Sequence, residues 1–171
     1  MSFRKKAGIT ILILLIIGLL IPNKMIIPVQ KATKNSWNSE SFWFYPWGKS
    51  GTHKGLDIFA KEGTPVIAAT SGIVLYKGEL SRGGNVLVVL GPKWRIHYYA
   101  HLKSFNTSNL SFVSSGEKIA EVGTTGNAKG KPAHLHYSYV TLIPYIWRID
   151  SDHQGWKKMF YLNPADYFEN K

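Results

Sequence analysis

Hydrophobic positions in this chain follow two different patterns. From Ala7 to Pro22 they run almost unbroken, with Thr10 as the single polar interruption, and Met25, Ile26 and Ile27 resume the run after Asn23 and Lys24. A stretch that is apolar on every side is not the amphipathic helix of a soluble core. Preceded by Arg4, Lys5 and Lys6, it reads as a secretory signal or an uncleaved signal anchor. No small-x-small cleavage site follows it, which favours an anchor over residues 7–27. From Lys31 to Glu40 the chain is polar and reads as a linker.

Beyond the linker the pattern changes to short β-branched and aromatic runs cut by glycine. Thr64–Thr70 and Ile73–Lys77 flank Ser71-Gly72, a hairpin signal, and Asn85–Leu90 starts after Gly83-Gly84 and ends at Gly91-Pro92. Arg95–His101, Lys118–Val122 and His134–Val140 follow, and no window has a helical period. Many closely spaced short strands predict a mainly β domain, an antiparallel sheet or sandwich. The expected organisation is a signal or anchor segment over 1–28, a linker over 29–42 and one domain over 43–171.

Composition narrows the chemistry. Cysteine is absent, so disulfides and thiolate metal sites are excluded, and any bound metal must use His nitrogen and carboxylate oxygen. The net charge of +11 is concentrated at the amino terminus, where residues 1–34 hold six cations and no acid. Those cations orient the first segment with its amino terminus in the cytoplasm and the domain exported beyond the membrane. The remainder carries 15 cations and 10 acids, with no sequence cluster of Lys and Arg and no nucleic-acid motif. A basic surface suits an anionic partner such as a phospholipid or a cell-wall polymer, and nucleic acid is not expected.

Four of the six histidines sit in settings suited to a metal. In His53-Lys54-Gly55-Leu56-Asp57, Gly55 permits a tight turn that lets side chains four apart converge. In His134-Leu135-His136, strand alternation turns both imidazoles to one face, about 7 Å apart. His101 ends a strand that could reach the same face. A catalytic zinc takes about three protein ligands and leaves one position for water. Four histidines and Asp57 are therefore two donors too many, and the surplus fits proton transfer or oxyanion stabilisation. Spacing alone does not say which histidine binds and which catalyses. His97 is expected on the same strand face as His101 but about 13 Å away, in a rim or structural role. His153 is expected in a surface loop.

The segment His53-Lys54-Gly55-Leu56-Asp57 resembles the H-x-G-x-D signature of the lysostaphin/LytM-type zinc endopeptidases. Further segments agree in order: Tyr45–Gly48, Gly63–Val66, Ser71–Val74, Tyr99–Leu102, Gly116–Ile119, Gly123–Gly126, His134–His136 and Asn163-Pro164. The resemblance covers residues 43–168. It implies a LytM-type peptidase domain with Zn2+ held by His53, Asp57 and His136 and a catalytic pair of His101 and His134. It also implies peptides of bacterial peptidoglycan as substrate, and a periplasmic or extracellular location. Modules resembling this fold without activity activate other wall hydrolases, but they usually lack several of these positions, all of which are filled here. Ala128–Ala133 replaces the family's usual short loop, and Ser138 stands where an acid is common. The aromatic stretch between Val140 and Asn163 is read either as packing or as a flap over one end of the groove.

Overall fold

The strands form where β-branched and aromatic residues alternate between glycine-bearing turns. In the computed structural model, which describes residues 2–169, they are β1 (Leu56–Phe59), β2 (Pro65–Ile67), β3 (Gly72–Leu80), β4 (Gly84–Gly91), β5 (Arg95–Phe105), β6 (Phe112–Val113), β7 (Lys118–Val122), β8 (His134–Thr141) and β9 (Tyr161–Leu162). All pairings between these nine strands are antiparallel, in the spatial order β1-β8-β5-β4-β3-β6, with β7 joining β2 to the far end of β5. On β8, β5 takes one edge, while β1 and β9 share the other. The mainly β antiparallel architecture expected from the sequence is the one found.

Alternation divides β5 and β8 into two faces. Tyr99, Leu135, Tyr137 and Tyr139 are fully buried in a core with Leu56, Ile58, Leu87 and Val89. Tyr98, Ala100, His134, His136 and Ser138 point the other way and line a groove. Burying an aromatic or aliphatic side chain of this size contributes roughly 1.5–3 kcal/mol. This core fixes the register that places the groove residues.

One irregularity matters for the site. Leu87 pairs with Tyr99 and Asn85 with Leu102, so β5 carries one more residue than β4 between those pairs. The bulge falls at His101, whose φ of +64° is left-handed. Strict alternation would place His101 with the core residues Tyr99 and His97; the bulge turns it into the groove instead. The expectation that His97 and His101 share a face is thereby corrected. His97 is fully buried on the core side, with Nδ1 2.6 Å from the Tyr137 hydroxyl.

The amino-terminal boundaries also differ from the sequence reading. Met25, Ile27 and Val29 are buried, Val29 bridges to Val66, and the Ile26 and Gln30 amides donate to the carbonyls of Ala69 and Pro65. Residues 25–30 thus form an extended edge beside β2. Their apolar side chains recur at every second position and serve the core, where the sequence reading extended the anchor to residue 27. Residues 29–42, read as a linker, are packed as well: Trp37 is buried edge-on against Phe168, with ring centroids 5.7 Å apart. The helix α1 (Phe3–Leu20) buries none of its residues. Among the described residues no helix is long and apolar enough to cross a membrane.

Candidate metal centre

Asp57 on β1 lies directly opposite His136 on β8, and the turn before β1 brings in His53. A side chain at Gly55 would prevent this. A Cβ there would sit 2.6 Å from the Tyr137 carbonyl, 2.8 Å from Ser138 Oγ and 3.0 Å from the His136 ring. The tight turn expected at Gly55 thus comes with a second requirement, close approach between two segments.

The tautomers of all four histidines follow from their outer partners. His53 Nδ1 donates to the Ser41 carbonyl at 2.9 Å, which leaves Nε2 facing inward. Ser138 Oγ donates to the Lys54 carbonyl at 2.6 Å, so it accepts from His136 Nε2 at 3.1 Å, and His136 Nδ1 is the inward atom. His101 Nδ1 donates to the Thr125 carbonyl at 2.9 Å and His134 Nδ1 to the Pro132 carbonyl at 2.7 Å. Trp47 stacks on the His53 ring at 4.2 Å and closes that side.

Three inward atoms converge without a hydrogen among them. Asp57 Oδ1 is 3.1 Å from His53 Nε2 and 2.8 Å from His136 Nδ1, and the two nitrogens are 3.2 Å apart. Lone pairs this close repel unless a proton or a cation lies between them. All three atoms fall within 4.8 Å of one another, so a single ion could hold them together. The donor set of two imidazoles and a carboxylate fits zinc, with room for further ligands. Burial opposes the charged form of Asp57, but His136 and His53, when protonated on their inward nitrogens, outweigh it and hold the carboxyl well below the usual carboxylate range; with those nitrogens bare, a metal cation would supply the same positive charge.

The other two histidines border the same point. His134 Nε2 lies 3.9 Å from Asp57 Oδ1, and the His101 ring is 5.0 Å from that of His134 and 6.0 Å from that of His136. Burial, with the neighbouring His136 and His134, pushes the His101 pKa down to about 4. The imidazole is therefore neutral near pH 7, with its Nε2 lone pair free. All five residues singled out from the sequence meet around one groove of about 910 Å³. His153 does not; it stacks on Tyr45 at 4.2 Å. The aromatic stretch after Val140 does two jobs: Tyr145 packs on the core, while Gln154, Lys157 and Tyr161 wall the groove.

Sequence reasoning missed the orienting groups. Three of them, at Ser41, Thr125 and Pro132, are backbone carbonyls, which carry no residue signature. Only Ser138 left a trace, as a departure from the acid common at its position.

A family model described as Peptidase family M23 matches residues 51–143, more than half of the chain, and that span holds all five groove residues. The chain belongs to peptidase family M23. Among relatives of this M23 chain, the uncharacterized lipoprotein YgeR of Escherichia coli is 34% identical over 122 residues, covering 64% of the chain and 47% of YgeR. The murein hydrolase activator NlpD of the same organism is 32% identical over 103 residues, covering 59% of the chain and 26% of NlpD. The chain thus spans about half the length of the first relative and a quarter of the second. The catalytic domain of the antimicrobial peptidase lysostaphin from Staphylococcus simulans superposes with a TM-score of 0.60 at 25% identity, over 74% of this chain and 87% of that domain. The lysostaphin/LytM resemblance read from the motifs is thus met in both sequence and fold.

Proposed function

We propose that this M23 chain is a zinc-dependent endopeptidase that hydrolyses peptide bonds in the crosslinks of bacterial peptidoglycan. The observation carrying the proposal is the convergence of three proton-free donor atoms, His53 Nε2, Asp57 Oδ1 and His136 Nδ1, beside two further imidazoles with inward-facing Nε2 atoms. Zinc in such a site lowers the pKa of a bound water and polarises the scissile carbonyl.

The chain's own residues do the rest. Ser41 and Ser138 hold His53 and His136 in the tautomers that present a lone pair to the ion. The carbonyls of Thr125 and Pro132 do the same for His101 and His134, so each presents Nε2 to the groove as a proton acceptor. One of the pair takes the proton of the attacking water. The other, when protonated, donates a hydrogen bond to the developing oxyanion, and a proton is then returned to the leaving amine. Tyr98 on the floor and Trp47, Phe59 and Tyr161 on the walls give an extended peptide apolar surface to lie on.

The test combines metal content with fragment analysis. Purified protein should hold one zinc per chain and release peptides from isolated peptidoglycan, read by mass spectrometry. His136→Ala should lose the zinc, whereas His101→Ala should keep it and lose turnover by about 10²–10⁴-fold. The reverse pattern would show that the roles are misassigned. The relation to the activator NlpD supports a second reading, in which the domain stimulates a separate wall hydrolase. Zinc-loaded protein that cleaves nothing alone but accelerates such a hydrolase would establish it. The basic, apolar first segment directs the domain out of the cytoplasm in this proposal, which cell fractionation checks.

A further inference from the structure

Next to the histidine cluster lies a second depression, of about 700 Å³, bounded by Lys49, Arg82 and Lys131 together with Trp47, Ser81 and Asn127. It opens into the main groove, because Trp47, Lys49, Arg82, Asn127 and Lys131 line both. No Asp or Glu lines it, and none of the ion pairs among the described residues involves these three cations. Across the groove, Lys54 and Lys157 add two more positive charges, while among the described residues Asp57 is the one acid lining it, itself in contact with histidines.

The three cations are distant in sequence, yet each rides on a segment that orients a histidine of the site. Lys49 belongs to the turn after Trp47, whose ring stacks on His53. The Arg82 carbonyl accepts from the Asn127 amide at 2.9 Å, and the Gly83 carbonyl accepts from the His101 amide at 2.8 Å. Gly84 and Gly126, both at positive φ, let these two loops touch backbone to backbone; a Cβ on Gly84 would lie 2.4 Å from the Gly126 nitrogen. Thr125, in the same loop, supplies the carbonyl that holds His101. Lys131 directly precedes Pro132, whose carbonyl holds His134. The cation-bearing backbone is thus pinned to the site histidines, and the three like charges repel one another until an anion enters.

We infer that this depression is a subsite for a carboxylate-bearing residue of the peptide substrate, beside the bond that is cut, and that the chain selects acidic over neutral peptides. The inference rests on the peptidase reading for the direction of the groove, but the binding it describes does not require turnover. An extended peptide advances about 3.3 Å per residue. Because the depression and the groove share lining residues, the carboxylate of a residue close to the scissile bond can enter the depression while the backbone stays over the histidines. Arg82 Nη1 donates to the Lys49 carbonyl at 3.3 Å, which ties the guanidinium to the rim of the depression, and its remaining N–H groups fit a carboxylate, with Lys49 and Lys131 adding point charges.

The experiment measures binding of labelled, N-methylated peptides that cannot be cleaved. They carry a single Glu or Gln moved stepwise along an alanine background, and anisotropy with the zinc-loaded full chain reports affinity. At one position Glu should bind about fivefold to tenfold tighter than Gln, and the gap should narrow at about 0.5 M salt. In Arg82→Gln/Lys131→Gln protein, with circular dichroism unchanged, the gap should vanish while Gln-peptide affinity stays. Equal affinities at every position, or a gap that survives the double substitution, would overturn the inference. So would displacement of the Glu peptide by a glycerol-phosphate polymer binding more tightly, since the occupant would then be a phosphate chain. If discrimination holds but the cleavable peptides stay intact, the peptidase reading fails and the subsite stands.

Discussion

Replacing Ser138 by Ala tests the outer hydrogen bonds of the proposed metal centre. The hydroxyl accepts from His136 Nε2 at 3.1 Å and donates to the Lys54 carbonyl at 2.6 Å, and the side chain is buried. Removing it strands a ring N–H and a backbone carbonyl, a loss of roughly 1–3 kcal/mol in stability. It also frees His136 to flip or change tautomer, so its inward Nδ1 is no longer held as a lone pair. Loss of an outer partner of this kind lowers metal affinity by about 10–100-fold. Competition for zinc against a chromophoric chelator measures the affinity, and denaturant unfolding of chelator-treated protein measures the stability separately. Ser138→Thr keeps a hydroxyl and should stay within about threefold of the native affinity. Unchanged zinc affinity in Ser138→Ala, or an equal fall in both variants, would refute the account of how His136 is held.

Two further outcomes concern the fold. Trp37→Ala should destabilise the domain by about 3–5 kcal/mol, because the ring is core and not linker; a melting temperature equal to that of the native protein would restore the linker reading. Burial, with Arg95 nearby, pushes the His97 pKa down from 6.5 to about 3. The unfolded chain therefore binds a proton there that the folded chain does not, between those two values. The contribution to stability is complete above pH 6.5 and is lost as the pH falls toward 3. Between neutrality and about pH 4.5 the loss is roughly 2–3 kcal/mol. His97→Gln should lack that part of the acid sensitivity in chelator-treated protein, and parallel stability curves for the two proteins would count against this assignment.

Local pattern was enough for much of the architecture. Period-two alternation with glycine breaks marked β3, β4, β5, β7 and β8, and the H-x-H spacing put His134 and His136 on one face because side chains in a strand must alternate. The absence of cysteine restricted the donor chemistry before any contact was known. The sequence could not show where alternation is broken. At His101 a single left-handed residue, stabilised by pairing across two neighbouring strands, moves a histidine from the core face to the groove and leaves His97 behind. Nor could it show that Met25, Ile27 and Val29 belong to the core, since a short apolar run looks the same whether it enters a bilayer or lies along a sheet edge. The carbonyls of Ser41, Thr125 and Pro132 choose the tautomers, yet every residue type offers a carbonyl. Lys49, Arg82 and Lys131 form no cluster along the chain; they share one depression because two glycine loops pack backbone against backbone beside the turn that carries Lys49. Strand periodicity is a local property written into side-chain order, whereas tautomer, bulge and charge convergence depend on which distant backbone happens to lie alongside.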